Sequence, residues 1–186
     1  MTEKEKMLAG ELYNPADQEL SAERLHARKI TKAFNECDPA DARNKDILLR
    51  QLINAKGSFL IEPSFQCDYG YNIQIGKNFF ANFNCVFLDV MPITIGNNVM
   101  LGPGVHIYTA THPTNPQERL TFLESGKPVS IGNNVWIGGG AIVCPGVSIG
   151  DNCTIGAGSV VTKDIPANSI AVGNPCKVIR KYLMFD

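Results

Sequence analysis

From Ile131 onward an aliphatic residue returns at every sixth position, cutting the chain into IGNNVW, IGGGAI, VCPGVS, IGDNCT, IGAGSV and VTKDIP. Each unit opens on Ile or Val, and its fifth position is small or aliphatic: Val135, Ala141, Val147, Cys153, Ser159 and Ile165. Upstream, IGNNVM, LGPGVH and IYTATH keep the same beat from Ile95, and IGKNFF and ANFNCV begin it at Ile75. Helices repeat at about 3.6 residues and strands at about 2, so a sustained period of six excludes a long helix. It predicts a short strand followed by a tight turn. Glycine and asparagine tolerate positive φ, and Gly132, Asn134, Gly150 and Asn152 recur where such turns belong. First and fifth positions are expected to point inward. Three units then close a triangular coil of about 18 residues, with neighbouring coils hydrogen-bonded at about 4.8 Å. On that register Ile131 meets Ile149, Ile137 meets Ile155 and Val143 meets Val161. A stack of this kind needs a cover at each end.

Residues 1–56 follow another pattern. Thr2 and Glu5 have capping-box spacing for a short first helix. Leu20, Ala27, Ile30, Phe34 and Cys37 lie near helical spacing, and Ile47, Leu48, Leu52 and Ile53 predict a further helix ending near Gly57. Two or three helices are therefore expected to fold over the first coil of a solenoid spanning 57–172. At the far end, residues 173–186 supply Tyr182, Leu183 and Phe185 as a cover.

The beat breaks once, at IYTATHPTNP. Residues 113–130 match one coil in length, yet its first positions would be Pro113, Arg119 and Ser125, none of them aliphatic. The segment is expected to leave the solenoid as an excursion, with the register resuming at Ile131. Long irregular segments in compact domains are commonly functional. Leu120, Phe122 and Leu123 within it need a surface to cover, and a neighbouring subunit is the expected one.

A net charge of −1 over 186 residues offers no basic field for nucleic acid. No apolar run approaches the roughly 18 residues of a membrane span. The opening MTEKEKMLAG lacks the apolar core of a signal peptide, so the expectation is a cytoplasmic protein. Six cysteines, Cys37, Cys67, Cys85, Cys144, Cys153 and Cys176, form no CxxC pair. Several fall on packing positions of the repeat, where a free thiol acts as a small apolar group.

The six-residue units resemble those of the hexapeptide-repeat transferases. CDYGYNI, NFFANFNC, GVHIYTATHP, IGNNVWIGG, GAGSVVTKDIP and VGNPCKVIRK together look like the sugar O-acetyltransferases of the maltose and galactoside type. The opening EKMLAGELYNPADQEL resembles the maltose branch, so the resemblance spans nearly the whole chain. It implies a mainly β fold: a left-handed parallel β-helix with a small N-terminal α-helical segment and an extended loop. The left hand is the family's, against the right-handed rule for parallel crossovers. It also implies acetyl-CoA as cosubstrate, no required metal, and a homotrimer with active sites between subunits.

The resemblance carries roles onto particular residues. His112 in TATHP matches a general base that takes a proton from a sugar hydroxyl and returns it to the departing thiolate; neutral imidazole, with an ordinary pKa of roughly 6.5, suits both steps. No serine or cysteine neighbours His112, which favours direct attack. Asn82 matches an amide that orients the acceptor hydroxyl, although in the repeat it stands where a turn glycine would. Asp68, Asp17 and Asp89 match acceptor-binding positions. The galactoside branch has two adjacent aspartates where this chain has Asp89 and Val90, a departure that argues against galactosides. Gly139 matches an oxyanion-binding amide, or serves only as a turn. Ala157, Thr162 and Lys163 match positions lining the acetyl-CoA groove. Lys177 and Arg180 in PCKVIRK are expected to meet the phosphates, unless they form a solvated basic tail. Trp136, the only tryptophan and sixth in its unit, is expected to face outward as an interface or ligand wall. Two other readings compete. His106 and His112 are six apart, as in a zinc hydrolyase built on the same coil, but a third histidine ligand is lacking, His26 being remote. A non-catalytic scaffold leaves the histidine-bearing excursion unexplained.

Overall fold

The computed structural model of the chain describes residues 1–182, so Leu183 and Phe185 lie outside the described residues. The inward positions of the repeat become the core: Val135, Ala141, Val147, Cys153, Ser159 and Ile165 are all buried, as are Ile131, Ile137, Val143, Ile149, Ile155 and Val161. Short parallel strands stack into three faces. The first face holds Asn54–Ala55, Ile73–Ile75, Ile93–Ile95, Val129–Ile131 and Ser148–Ile149. The second holds Phe59–Ile61, Phe79–Ala81, Met100–Leu101, Trp136–Ile137, Thr154–Ile155 and Ser169–Val172. The third holds Phe65–Cys67, Cys85–Leu88, His106–Tyr108, Ile142–Val143 and Val160–Val161. Ile131 pairs with Ile149, Ile137 with Ile155 and Val143 with Val161, as the beat predicts.

Asparagines turn the chain between the first and second faces. Asn78, Asn98, Asn134, Asn152 and Asn168 all have positive φ. Their side chains form a ladder: Asn78 Nδ2 donates to Asn98 Oδ1 (3.0 Å), Asn98 to Asn134 (3.0 Å), Asn134 to Asn152 (3.0 Å) and Asn152 to Asn168 (2.8 Å). Gly132 and Gly150 do not share that role, against expectation: neither lies among the positive-φ residues. They are needed for close stacking instead. A Cβ on Gly132 would stand 2.3 Å from Asp151 Oδ1, and one on Gly150 would stand 2.5 Å from the Ala167 nitrogen.

The upper coils are longer than the repeat suggests. Ile75 pairs with Ile95, twenty positions on, whereas Ile131 pairs with Ile149, eighteen on. The two extra residues sit where the third face turns into the first: eight positions separate Phe87 from Ile95, against six between Val143 and Ile149. This widened corner faces the N-terminal helices.

Helix α1 (Glu3–Ala9) opens with the capping box of Thr2 and Glu5. Helix α2 (Gln18–Asn35) buries Leu20, Ala27, Ile30 and Phe34. Helix α3 (Ala42–Leu52) stops short of Gly57 because Asn54–Ala55 already pairs with Gln74–Ile75 as the first strand. It buries Leu49 and Leu52, while Ile47 stays exposed. Phe34, Leu49 and Leu52 join Phe65 and Ile73 in the main core, so these helices plug the top of the stack.

The excursion adds no coil, because Ile95 pairs directly with Ile131 and Ile107 with Val143. It is a hairpin, with Ala110–Thr111 antiparallel to Ser125–Gly126 and a one-turn helix α4 (Pro116–Arg119) near its tip. The solenoid resumes at Val129. Leu120 and Phe122 remain 67% and 78% exposed on the single chain. At the other end Lys177–Lys181 runs antiparallel to Ser169–Val172 and is exposed along its length. Tyr182 is itself 43% exposed. Lys177–Lys181 therefore continues the second face by one strand beyond Ser169–Val172, and Cys176 just before it is buried in the main core.

Candidate active site

His112 follows the outgoing arm of the hairpin with about half its side chain exposed. Its Nδ1 lies 3.2 Å from the Leu123 carbonyl oxygen. A carbonyl only accepts, so in the tautomer that uses this contact Nδ1 carries the proton and Nε2 presents its lone pair. Nε2 stands 3.4 Å from Glu124 Oε1. A lone pair facing a carboxylate gains nothing, but a proton arriving at Nε2 turns the contact into an ion pair. The arrangement thus suits Nε2 to receive a proton. Glu124 was not singled out in the sequence; only the fold-back of the hairpin brings it to His112. Its other oxygen, Oε2, accepts the Tyr13 phenol (2.6 Å). Burial and that bond hold the phenol protonated well above its usual range.

The widened corner adjoins this group. Asp68 is half-buried there, its carboxyl raised by burial and by the charge of Glu124, with Arg24 and Arg28 acting the other way. Arg24 Nη1 donates to the Tyr69 phenol oxygen (2.6 Å). Tyr69, Tyr13, Val90 and Met91 form an apolar floor with Met7 and Leu20. Asp89 is a correction. It is 0% exposed, so no ligand reaches it. Its Oδ1 accepts the backbone N–H of Asp68 and Tyr69 (both 2.9 Å) and its Oδ2 that of Gly70 (2.7 Å). Burial pushes this carboxyl up to about 7, against the three N–H groups that lower it. Its place is to hold the 68–70 turn. Asp17 caps α2, its Oδ1 accepting from Glu19 N (3.0 Å) and Leu20 N (3.2 Å).

A second group lies at the other end of the third face, where the second face turns into the third. Phe83, Pro103, Gly139 and Ala157 stack there, linked by Gly104 N–H to Phe83 O, Gly140 N–H to Pro103 O and Gly158 N–H to Gly139 O (2.7, 2.8 and 2.9 Å). Among the described residues no acceptor takes the N–H of Gly139 or Ala157, whereas the flanking Gly138 donates to Ile155 and Gly156 to Ala171. Two unengaged amides thus open on one edge. Asn82 sits at the same corner, its Oδ1 accepting from Phe83 N (2.8 Å), which leaves its amide NH2 to donate outward. Phe83, half exposed beside it, carried no periodic signal.

The remaining residues are spread along the surface. Trp136 is 52% exposed on the second face, between Met100 and Thr154. Thr162 and Lys163 are exposed where the third face turns into the first. Lys177 and Arg180 are exposed on the antiparallel edge strand. His112 and Asp68 on one side, and Asn82, Gly139 and Ala157 on the other, therefore stand at opposite ends of the third face and do not meet within one chain. His106 turns its Nδ1 to the Tyr108 hydroxyl (2.5 Å), and His26 is exposed on α2. Among the described residues no three His, Cys, Asp or Glu side chains converge as metal ligands, so one chain does not assemble the zinc set.

Two family models match the chain: the maltose acetyltransferase hexapeptide capping motif over residues 6–57 and the bacterial transferase hexapeptide (six repeats) over residues 128–163. The crystal structure of a maltose O-acetyltransferase from Clostridium difficile 630 is 55% identical, covers 99% of both chains and superposes with a TM-score of 0.98. A galactoside acetyltransferase solved in complex with coenzyme A is 40% identical over 97% of this chain and 91% of its own, with a TM-score of 0.94. Nodulation protein L of Rhizobium meliloti (strain 1021) is 49% identical over 95% of this chain and 97% of its own.

Proposed function

Since the chain belongs to the maltose and galactoside O-acetyltransferase family of hexapeptide-repeat acyltransferases, we propose that it moves acetyl from acetyl-CoA to a hydroxyl of a sugar such as glucose or maltose. His112 is the general base, and attack is direct. The observation that carries the reading is the Leu123 carbonyl at 3.2 Å from Nδ1, which leaves Nε2 as the basic nitrogen. The acceptor hydroxyl gives its proton to Nε2 as its oxygen attacks the thioester carbonyl. The C–S bond then breaks, and the imidazolium, facing Glu124, returns the proton to the coenzyme A thiolate.

The oxyanion of the tetrahedral intermediate needs a donor already in place, and the unengaged Gly139 amide is that donor. The Ala157 amide, Thr162 and Lys163 line the pantetheine path, with Trp136 as a wall. Lys177 and Arg180 meet the phosphates through charge-assisted bonds. Asn82 orients the reacting hydroxyl, while Asp68 and Asp17 take other hydroxyls of the sugar.

One chain cannot close this site, so the working unit is a homotrimer in which one protomer's His112 faces the Asn82 and Gly139 of the partner subunit. Support comes from the apolar residues that the second and third faces turn outward, which a neighbour would cover. The enzyme works in the cytoplasm and needs no metal. An alternative acceptor, such as a galactoside, an oligosaccharide or a xenobiotic, would use the same machinery. Val90, buried and apolar, offers a galactoside no second carboxylate. A panel of hydroxyl acceptors with acetyl-CoA, read as thiol release, tests the proposal. Release with glucose or maltose that disappears in His112→Ala supports it, and no release with any sugar refutes it.

A further inference from the structure

We propose that Tyr13 is a positioning residue for the transfer, its phenol fixing the Glu124 carboxylate against the ring of His112. The inference rests on the reading of His112 as general base. Tyr13 lies in the segment between α1 and α2, outside the solenoid, and is 0% exposed. It holds Glu124 three times. Tyr13 N–H donates to Glu124 O (2.9 Å), Glu124 N–H to Tyr13 O (3.0 Å), and the phenol to Glu124 Oε2 (2.6 Å).

The two carboxylate oxygens are thereby divided. Oε2 belongs to Tyr13, and Oε1 is left 3.4 Å from His112 Nε2. The backbone bridge fixes where Glu124 sits on the returning arm; among the described residues only the phenol donates a hydrogen bond that fixes which way its carboxylate turns. Leu123, the neighbour of Glu124, holds the other ring nitrogen, so one short stretch governs both sides of the imidazole. The phenol also stays protonated as a donor, since burial and its bond to Glu124 raise it well above neutrality. The N-terminal segment is thus part of the site as well as a plug for the first coil.

Tyr13→Phe is the test, because it keeps the ring and both backbone bonds and deletes one O–H. Loss of a hydrogen bond to a charged group should lower kcat by about 10- to 100-fold. The KM for acetyl-CoA should stay within about twofold, since Tyr13 is placed away from the coenzyme path. A residue that acts through Glu124 adds no further loss in Glu124→Gln. The proposal is overturned if Tyr13→Phe keeps kcat within about twofold of the parent, or loses the same factor in both backgrounds. It is also overturned if the loss follows a fall in melting temperature and is restored by assaying cold. Should His112→Ala retain transfer, the base assignment itself fails. An inactive His112→Ala beside an unimpaired Tyr13→Phe fails only this inference.

Discussion

The three faces of the solenoid bury the same kind of residue and expose different ones. Outward from the first face stand Asn54, Gln74, Thr94, Ser130 and Ser148, all exposed and all polar. Outward from the second stand Leu60, Phe80, Met100, Trp136, Thr154 and Ile170, and from the third Gln66, Val86, His106, Ile142 and Val160. Within the first row Ser130 Oγ bonds Ser148 Oγ at 3.0 Å. The other two rows are mostly apolar, interrupted by Thr154 on the second face and by Gln66 and His106 on the third, and soluble monomers seldom leave so much apolar surface uncovered. The unengaged amides of Gly139 and Ala157 lie on the corner these two faces share, and His112 lies at the far edge of the third. One repeat thus specifies the core, while its outward positions make one face polar and the other two mostly apolar.

The contrast can be broken in graded ways. His112→Ala should lower kcat by about 10²–10⁴, the usual contribution of a general base, in a steady-state thiol-release assay. An unimpaired variant would take the far edge of the third face out of the reaction. Tyr13→Phe should follow, with kcat down about 10- to 100-fold in the same assay. Ile142→Asp puts a charge in the middle of the third-face column. If a neighbour covers that column, sedimentation should report monomer in place of trimer, with activity down at least about tenfold, because an unpaired charge at an interface costs several kcal/mol. A trimer of normal activity would leave the third face free in solution. Ser130→Ala with Ser148→Ala, on the first face, should change stability by less than about 1 kcal/mol in urea titration and leave assembly and kcat alone.

The inward rows were legible because burial imposes a residue type at fixed positions: every first and fifth residue from Ile131 to Ile165 is aliphatic or small, and each is buried. The excursion was legible for the converse reason, since Pro113, Arg119 and Ser125 cannot fill inward sites. Its hairpin form was not, because the pairing of Ala110–Thr111 with Ser125–Gly126 rests on backbone bonds that select no side chain. Gly132 and Asn134 look equivalent in a sequence, both being turn residues, yet one answers a steric limit and the other a backbone angle. Asp89 matches an acceptor-binding position by resemblance, yet it is buried and its oxygens are taken by the backbone N–H groups of residues 68–70, which no sequence pattern announces. Glu124 reaches His112 only through the fold of the hairpin, and no spacing rule points to it.

The central claim is that each site draws on two chains, and mixed trimers test it most directly. His112→Ala and Asn82→Ala should each be nearly inactive alone. Unfolded together in equal amounts and refolded, they should place an intact histidine opposite an intact asparagine at about one quarter of the sites, given random cyclic assembly. Thiol release near a quarter of the parent rate is the predicted result. Mixed trimers verified by native mass spectrometry that recover no activity would contradict the account.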